Sequence, residues 1–326
     1  MKTVSPTEVV VSQPSAPIVS YGVRLRQFAR ECWSDRLSYL FLAPFLLCFI
    51  CFIIVPVIIA ILLSLTSFNG FDFPRFIGVS NFIYMFTQDV VFMKYTIPNT
   101  LKFAIVVGPG GYIFSFIFAW LIHQLPKSIR DYFSLALYAP SMVAGVALTM
   151  VWTATFSGDS IGYLNQILLS LGIIESPQLW LQDPKYLMTI MIIVTMWTSM
   201  GVGFLAMLGG LQTVNTELYE AGRIDGIKNN LQEVYYITIP SMKPQMLFSA
   251  VMAIVGAIKA GSISSGLTGM TITPQYAGHV INNHIYDYAF LRYEWGYASA
   301  LSVVLLLLSY TIMKLCYKVF GTKEDE

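Results

Sequence analysis

The stretch ELYEAGRIDG (217–226) puts four charged residues into ten positions of a chain with only 19 basic and 18 acidic residues among its 326. It lies between two long apolar runs, at about 186–211 and 245–267. Its ends carry helix punctuation. Asn215 is a good N-cap, Glu217 and Glu220 occupy early turns where the helix dipole favours acids, and Gly226 supplies a stop. The pattern predicts one short helix at about 216–225. Asn230 with Glu233 three residues on has capping-box spacing and opens a second helix, ended by Ile239 and Pro240. A helix, turn and helix are therefore expected outside the bilayer. Ala221, Gly222 and Gly226 allow close backbone approach there, and Leu218, Tyr219 and Ile224 offer apolar contact, which suits insertion into a groove on a partner.

The surroundings make this a membrane protein. Hydrophobic residues are 56% of the chain and charged residues 11%, against roughly a quarter charged in soluble domains. A net charge of +1, with no Lys/Arg run carrying interleaved aromatics, leaves no footprint for nucleic acid. Six apolar runs reach the length of about 20 residues needed to cross hydrocarbon: about 39–65, 98–123, 132–156, 186–211, 245–267 and 297–319. The first is too long for the core of a cleaved signal peptide and reads as a retained span. Two are expected to be broken, at VVGPGGY (107–112) and KAGSISSG (259–266). Breaks survive in lipid only where protein or a watery cavity satisfies the freed backbone.

Thirteen of the 19 Lys/Arg fall in the N-terminal tail, the loops after spans two and four and the C-terminal end. Five fall in the other loops and outer span ends, and Lys259 lies inside a span. The positive-inside rule then makes both termini and ELYEAGRIDG cytoplasmic. The outer stretches 160–174 and 276–290 have helical patterning of mixed polarity and read as interfacial helices, or as docking elements. Trp152, Trp180 and Trp295 read as interface anchors. Cys48 and Cys51 form a C-x-x-C inside an apolar run without other ligand types, and His279 and His284 are five apart, off the helical metal-pair spacing. No metal site is expected.

Glu220-Ala221-Gly222, Asp225-Gly226, then Ile237, Ile239 and Pro240 resemble the E-A-A-x-x-D-G…I-x-L-P motif of type I ABC importer permeases. Gly222 replaces the usual second alanine, and the stretch from Gly226 to Pro240 is one residue longer than in maltose-type members. The likeness runs from about residue 38 to 320 and narrows to the sugar-transporting branch. YLFLAPFLLCFICFIIVPVIIAILLSLTSFNGF is similar to its first span, NFIYMF…YTIPNTLKFAI to its N-[FY]…N-T-L approach to the second, and YAPSMVAGVALTMVW to its third.

The resemblance implies an all-α, polytopic membrane protein of six transmembrane helices with a cytoplasmic coupling helix, the type I permease fold. Its parts would be a cytoplasmic tail (1–37), a six-helix permease domain (38–320) with the coupling loop at 213–243, and a cytoplasmic C-terminal tail (321–326). It implies a bacterial inner-membrane location and no enzymatic activity in this chain. It also implies a second, homologous permease, a cytoplasmic ABC ATPase dimer and an extracytoplasmic solute-binding protein, with a sugar, most plausibly an oligosaccharide, as substrate. The sequence lacks G-x-x-x-x-G-K-[ST], so ATP and magnesium are expected on the partner ATPase and no cofactor on this chain. Coupling would run through Glu220, Ala221, Gly222, Asp225, Gly226 and Pro240, with closure of the ATPase tilting the helix bundles as rigid bodies. Two other readings stay open: a non-sugar cargo (polyamine, phosphate or peptide), and an ion-driven secondary carrier. The carrier typically shows intramembrane carboxylates, and no Asp or Glu falls within a span.

Polar residues within spans point to the solute path. In span four, Thr195, Thr198 and Ser199 share a face beside Trp197; in span five, Gly256, Lys259 and Ser262 are candidates. Several hydrogen-bonding groups with an aromatic wall fit a carbohydrate. The maltose-type resemblance implies sugar contacts on the helices just before and after the motif, with an amide near the level of Lys259. Here a cation stands there, either to pair with an acidic sugar such as a uronate or as a structural lysine that snorkels or meets the partner permease.

Overall fold

The computed structural model describes residues 36–143, 145–259, 261 and 263–320. Contacts divide the chain into two compact units, Met1–Ile58 and Ile59–Glu326. The first contains most of α1 (Leu37–Leu63), an apolar helix long enough to cross a membrane, with a π-helical turn at Ile50–Ile54 that includes Cys51. Cys48 and Cys51 are free thiols.

The second unit opens on a small hairpin, β1 (Thr66–Ser67) paired antiparallel with β2 (Arg75–Phe76). There follow α2 (Ser80–Thr87) and the long α3 (Phe92–His123). Two helices, α4 (Lys127–Met142) and α5 (Gly145–Thr155), form span three. α6 (Tyr163–Ser170) leads to α7 (Pro184–Trp197) and α8 (Val202–Thr213), which together form span four with a bend of 44°. The charged stretch forms α9 (Thr216–Ile224) and α10 (Asn230–Ser241). Then come α11 (Lys243–Lys259), α12 (Ile263–Thr268), α13 (Ile281–Tyr286) with a π-helical extension to Leu291, and α14 (Trp295–Phe320). Three single helices are long and apolar enough to cross, and up to six crossings result if each of three bent pairs is one span; the third pair joins α10, a helix of the charged stretch, to α11 at 85°. The six expected apolar runs are accounted for.

The breaks fall differently from expectation. α3 runs unbroken through Pro109, although proline removes one helix hydrogen bond. The neighbouring glycines let α7 close on that segment: a Cβ on Gly111 would sit 3.2 Å from Ser199 Cβ, and one on Gly110 3.6 Å from Met196 Cε. Such small-residue contacts bring helices together in lipid, where no hydrophobic force does so. Span three breaks instead, at Val143, which is extended (ψ 130°) just after Pro140 has weakened the last turn of α4. Span four also breaks, after Thr198. The hydroxyl of Thr198 donates to Thr195 O (3.0 Å) and that of Ser199 to Met196 O (2.7 Å), competing with the backbone at the helix end. The break expected near 259–266 is present, since α11 ends at Lys259 and α12 begins at Ile263.

Three apolar clusters hold the second unit. Val107 of α3 packs with Leu187, Met191 and Val194 of α7 and with Leu267 of α12. Ile122 meets Phe204 and Met207 of α8 and Met246 of α11. Met85, Phe92, Ile281, Tyr288 and Leu301 form the third. The last overturns one expectation: 276–290 is not an interfacial helix, because Val280, Ile281, His284, Asp287 and Tyr288 are buried. Two of the tryptophans read as interface anchors are half-buried and pack against the first cluster. Trp152 stacks on Phe156, and Trp180 donates to Asn165 Oδ1 at 2.8 Å.

Polar pins fix the end of the unit around this third cluster. Asn81 donates to Ser64 O (2.8 Å) and Thr66 O (2.9 Å), Asn99 donates to Tyr276 O (2.7 Å), and the Ile281 amide donates to Thr100 Oγ1 (2.9 Å). Asp89 Oδ1 accepts from the Phe92 amide (2.9 Å), while Oδ2 accepts from the Tyr297 hydroxyl (2.7 Å) and meets His284 Nε2 at 2.8 Å. His284 Nδ1 in turn meets His279 Nε2 at 3.1 Å. One buried chain of polar groups therefore ties α2, α3, α13 and α14.

Burial alone would raise the Asp89 carboxyl. The hydrogen bonds from His284, the Phe92 amide and Tyr297 outweigh it and hold the group well below the usual carboxylate range. Burial, and then the adjacent His284, push His279 down to about 4. Both shifts favour the deprotonated form in the fold. Stability is therefore fullest above about pH 6.5, falls through His279 between about 6.5 and about 4, and falls through Asp89 in still stronger acid. The thermal midpoint in detergent should drop as pH is lowered from about 7 to about 4.5, and His279→Gln should flatten that limb. A flat curve for the unaltered protein would show that the cluster does not hold this end of the unit together.

Candidate functional site

The charged loop is built as its sequence suggests, with corrections. Asn215 Oδ1 accepts from the Glu217 amide at 3.0 Å and caps α9. The second cap is Asn229, one residue before the expected Asn230; its Oδ1 accepts from the Gln232 amide at 2.8 Å. Both asparagines carry the right side chain, and only the extended backbone of Asn229 (φ −144°, ψ 157°) chooses between them. The second helix also passes Ile239 and Pro240 and ends at Ser241. Pro240 lies one residue before that end, just after a π-helical turn at Val234–Thr238.

α9 ends in a Schellman turn. The Ile227 amide donates to Gly222 O (2.9 Å) and the Gly226 amide to Arg223 O (3.3 Å), with Gly226 at φ +100°. Gly222 is buried under the loop's own side chains: a Cβ there would lie 2.7 Å from Ile237 Cδ1 and 3.0 Å from Ile227 Cδ1. Its smallness therefore serves the loop itself and not, as expected, a partner's approach. Tyr219 is also committed inward, its hydroxyl 3.0 Å from Thr238 Oγ1. Arg223 and Glu233 bridge the helices at 2.9 Å, a modest contribution with Arg223 so exposed. Exposed on α9 and at its cap are Glu217, Leu218, Glu220, Ala221 and Asp225, together with an uncovered Ile224, 87% exposed.

A second site lies among the helices. A cavity of about 280 Å³ between α3, α4, α7, α8 and α11 is lined by Thr195, Thr198, Ser199 and Gly256, four of the six path residues read from sequence. Lys259 ends α11, but its side chain, like Ser262, lies outside the described residues. Trp197 does not line the cavity; it meets Trp152 edge to face, and Tyr112 and Tyr138 provide the aromatic wall instead. Sequence reading missed Ser115, Ser141 and Ser249 on this wall. A signal existed for the first: Gly111, Ser115 and Ala119 form a buried small-residue stripe with a spacing of four.

Among the described lining residues there is no Asp, Glu, Lys, Arg or His. Four hydroxyls spend their protons on their own helices: Thr195 on Met191 O (2.7 Å), Thr198 on Thr195 O, Ser199 on Met196 O, and Ser141 on Tyr138 O (2.7 Å). They face the cavity as acceptors. A larger cavity of about 340 Å³ between α3, α11 and α14 is lined mainly by groups such as Phe103, Ile254, Leu305 and Leu308 and offers a polar solute little.

Known proteins resemble the chain along nearly its whole length. Residues 111–323 match the family described as binding-protein-dependent transport system inner membrane component. The probable ABC transporter permease protein YesP of Bacillus subtilis (strain 168) is 29% identical over 310 residues, 91% of this chain and 94% of that one. The arabinooligosaccharides transport system permease protein AraP of the same organism is 29% identical over 292 residues, covering 88% and 90%. A crystal structure of a bacterial ABC transporter involved in the import of the acidic polysaccharide alginate contains a chain with the same fold, at a TM-score of 0.72, 22% identity, and coverage of 90% of this chain and 98% of that one.

The left-handed Gly226 gives a direct check on the loop. Gly226→Val should cost about 1–3 kcal/mol of local strain and speed tryptic cleavage at Arg223 and Lys228 several-fold, with Gly226→Asn in between. Equal rates in all three would show that the Schellman turn does not hold the loop.

Proposed function

The chain belongs to the binding-protein-dependent transport system inner membrane components, and we propose that within this family it serves a carbohydrate importer, coupling to a separate ATPase through α9. The observation that carries the coupling is the division of labour in 216–241. Gly222, Tyr219 and Gly226 are consumed in holding the loop's shape, while Ile224, Ala221 and Glu220 remain uncovered on one short helix. An exposed apolar side chain on a rigidly capped helix suits a groove in a partner.

Family membership makes this a multi-pass membrane transport subunit and removes the ion-driven carrier reading. Dependence on a binding protein is the family's defining property. The remaining parts are our reading: a second permease completing the path, a cytoplasmic ATPase dimer holding ATP and magnesium, and both termini on the cytoplasmic side. The count of thirteen Lys/Arg against five supports that orientation. ATP-driven closure of the ATPase pair would draw the loops together and rock the bundles about the hydroxyl-lined cavity, a rigid-body transition.

Carbohydrate as cargo is supported by the cavity's chemistry and by the arabinooligosaccharide relative. Hydroxyls without described charged groups match a polyhydroxylic solute better than a polyamine or phosphate. In the assembled importer, a bifunctional thiol crosslinker at Ala221→Cys should capture the ATPase subunit and should stay unreactive to an impermeant reagent added outside. Capture of the binding protein, or labelling from outside, would reverse the orientation and end the coupling proposal.

A further inference from the structure

Residues 273–284 form a strap that leads into α13 and crosses from one apolar cluster to another. Val280 packs in the first, with Leu187 and Met191 of α7, and Ile281 in the third, with Leu301 of α14. Gly278 lies hard against α7: a Cβ there would come within 2.7 Å of Met191 Sδ and 3.0 Å of Leu187 Cδ2. Thr195, one turn on from Met191, lines the hydroxyl-lined cavity. Whatever holds the strap therefore braces a wall of that cavity.

The strap is not held by its own backbone preference. Gln275 and Tyr276 are consecutive residues in the left-handed region, at φ +48° and +59°, which a residue carrying a Cβ keeps only under constraint. The constraints come from side chains. Asn99 of α3 donates to Tyr276 O (2.7 Å), Thr100 Oγ1 accepts from the Ile281 amide (2.9 Å), and His279 Nε2 meets His284 Nδ1 at 3.1 Å. Strain leaves the closed strap only modestly favoured over an open one.

The contact between the histidines depends on protons. Both rings are fully buried, and a nitrogen-to-nitrogen contact of this length needs one proton between them. His284 Nε2 holds another, donated to Asp89 Oδ2 at 2.8 Å. With both rings neutral, His279 Nδ1 is the position left bare, and it is enclosed without a partner among the described residues. A proton added there becomes a buried donor with nothing to accept from it. A second proton between the rings would part them. His279 can gain charge only by leaving its seat, and the strap leaves with it.

Other charged and titratable groups surround the pair. Asp89 precedes α3, Tyr297 belongs to α14, and Tyr276 of the strap leads on to Tyr95 and Lys94. Tyr288 follows α13 with the Asp287–Arg292 ion pair, whose guanidinium lies over its ring. Among these side-chain types, only imidazole ordinarily changes charge between neutral pH and pH 5.5.

We propose that His279 and His284 are a positioning pair that holds the strap against α7, and that mild acid on the strap's side of the membrane releases it and slows import. A rigid-body transition needs its packed elements to move together, and an α7 without its brace no longer moves with α3 and α14. The latch goes beyond the cargo and coupling readings and needs only that the chain is a transport subunit.

Hydrogen exchange of the complete importer in nanodiscs, corrected for the intrinsic effect of pH, follows the strap itself. The peptide covering 273–284 should lose about tenfold protection between pH 7.5 and 5.5, the shift in balance for a group at about 4 in the closed strap and about 6.5 in the open one. α9 and α10 should keep their protection, and His279→Gln should hold the strap level at both pH values. In proteoliposomes with the binding protein and ATPase, arabinotriose uptake should fall at least twofold when the strap's side alone is brought to pH 5.5. His279→Gln should abolish that fall.

A strap equally protected at both pH values, a loss shared by α9 and α10, or the same loss in His279→Gln would overturn the latch. Should that variant fail to assemble, the contrast between strap and loop in the unaltered protein still decides. A loosened strap with uptake indifferent to acid would overturn its role in import. No arabinotriose uptake at pH 7.5 would count instead against the carbohydrate reading, and ATP turnover stimulated by the binding protein at the two pH values would then decide the role in import.

Discussion

Hydrocarbon gives no hydrogen bonds to a backbone, so every helix that crosses it must satisfy its own amides and carbonyls or find neighbours that do. That constraint shapes this chain more than any apolar contact. Where proline falls in α3, glycines let α7 close over the site and the helix continues. Where Thr198 and Ser199 fold their hydroxyls back onto α7, the helix ends, and the freed amides of α8 open onto a polar cavity. A proline is tolerated and a threonine–serine pair is not, because the neighbourhood decides which backbone groups can be rescued.

The same economy separates the two ends of the molecule. At the end around Asp89, a buried chain of polar contacts runs through Tyr297, Asp89, His284 and His279, joins segments almost 210 residues apart in sequence, and ends on a His279 Nδ1 without a partner among the described residues. At the loop, polar residues are spent on capping: Asn215, Asn229 and the amides around Gly226 close both helices with little apolar support. One end is pinned by buried charge and the other by local turns.

The cavity sits between these anchors and is chemically unlike both. It is walled by small residues and hydroxyls, which permit close helix contact and contribute lone pairs without charge. Ser115 and Ser249 on its wall make no hydrogen bond among the described residues, and a polar group left without a partner inside a membrane protein points to a ligand that completes it.

Much of this was legible in the sequence. Length and apolarity fixed six crossings, since a run of about 20 apolar residues has no other stable home. The caps and Gly226 fixed the loop's two helices, because N-caps and left-handed glycines act within a few residues of themselves. Thr195, Thr198, Ser199 and Gly256 were visible as polar or small positions in apolar runs. Tertiary structure alone decided the rest. It turned 276–290 inward and set His279 against His284, because a spacing of five excludes a shared helix face but not a contact across a turn. It chose Asn229 over Asn230, buried Gly222 beneath Ile237, and brought Ser115 and Ser249 to the break in span four. Local signals travel only as far as one turn of helix; which segments share a cavity depends on packing between helices, and a single sequence does not encode that in any window that can be read alone.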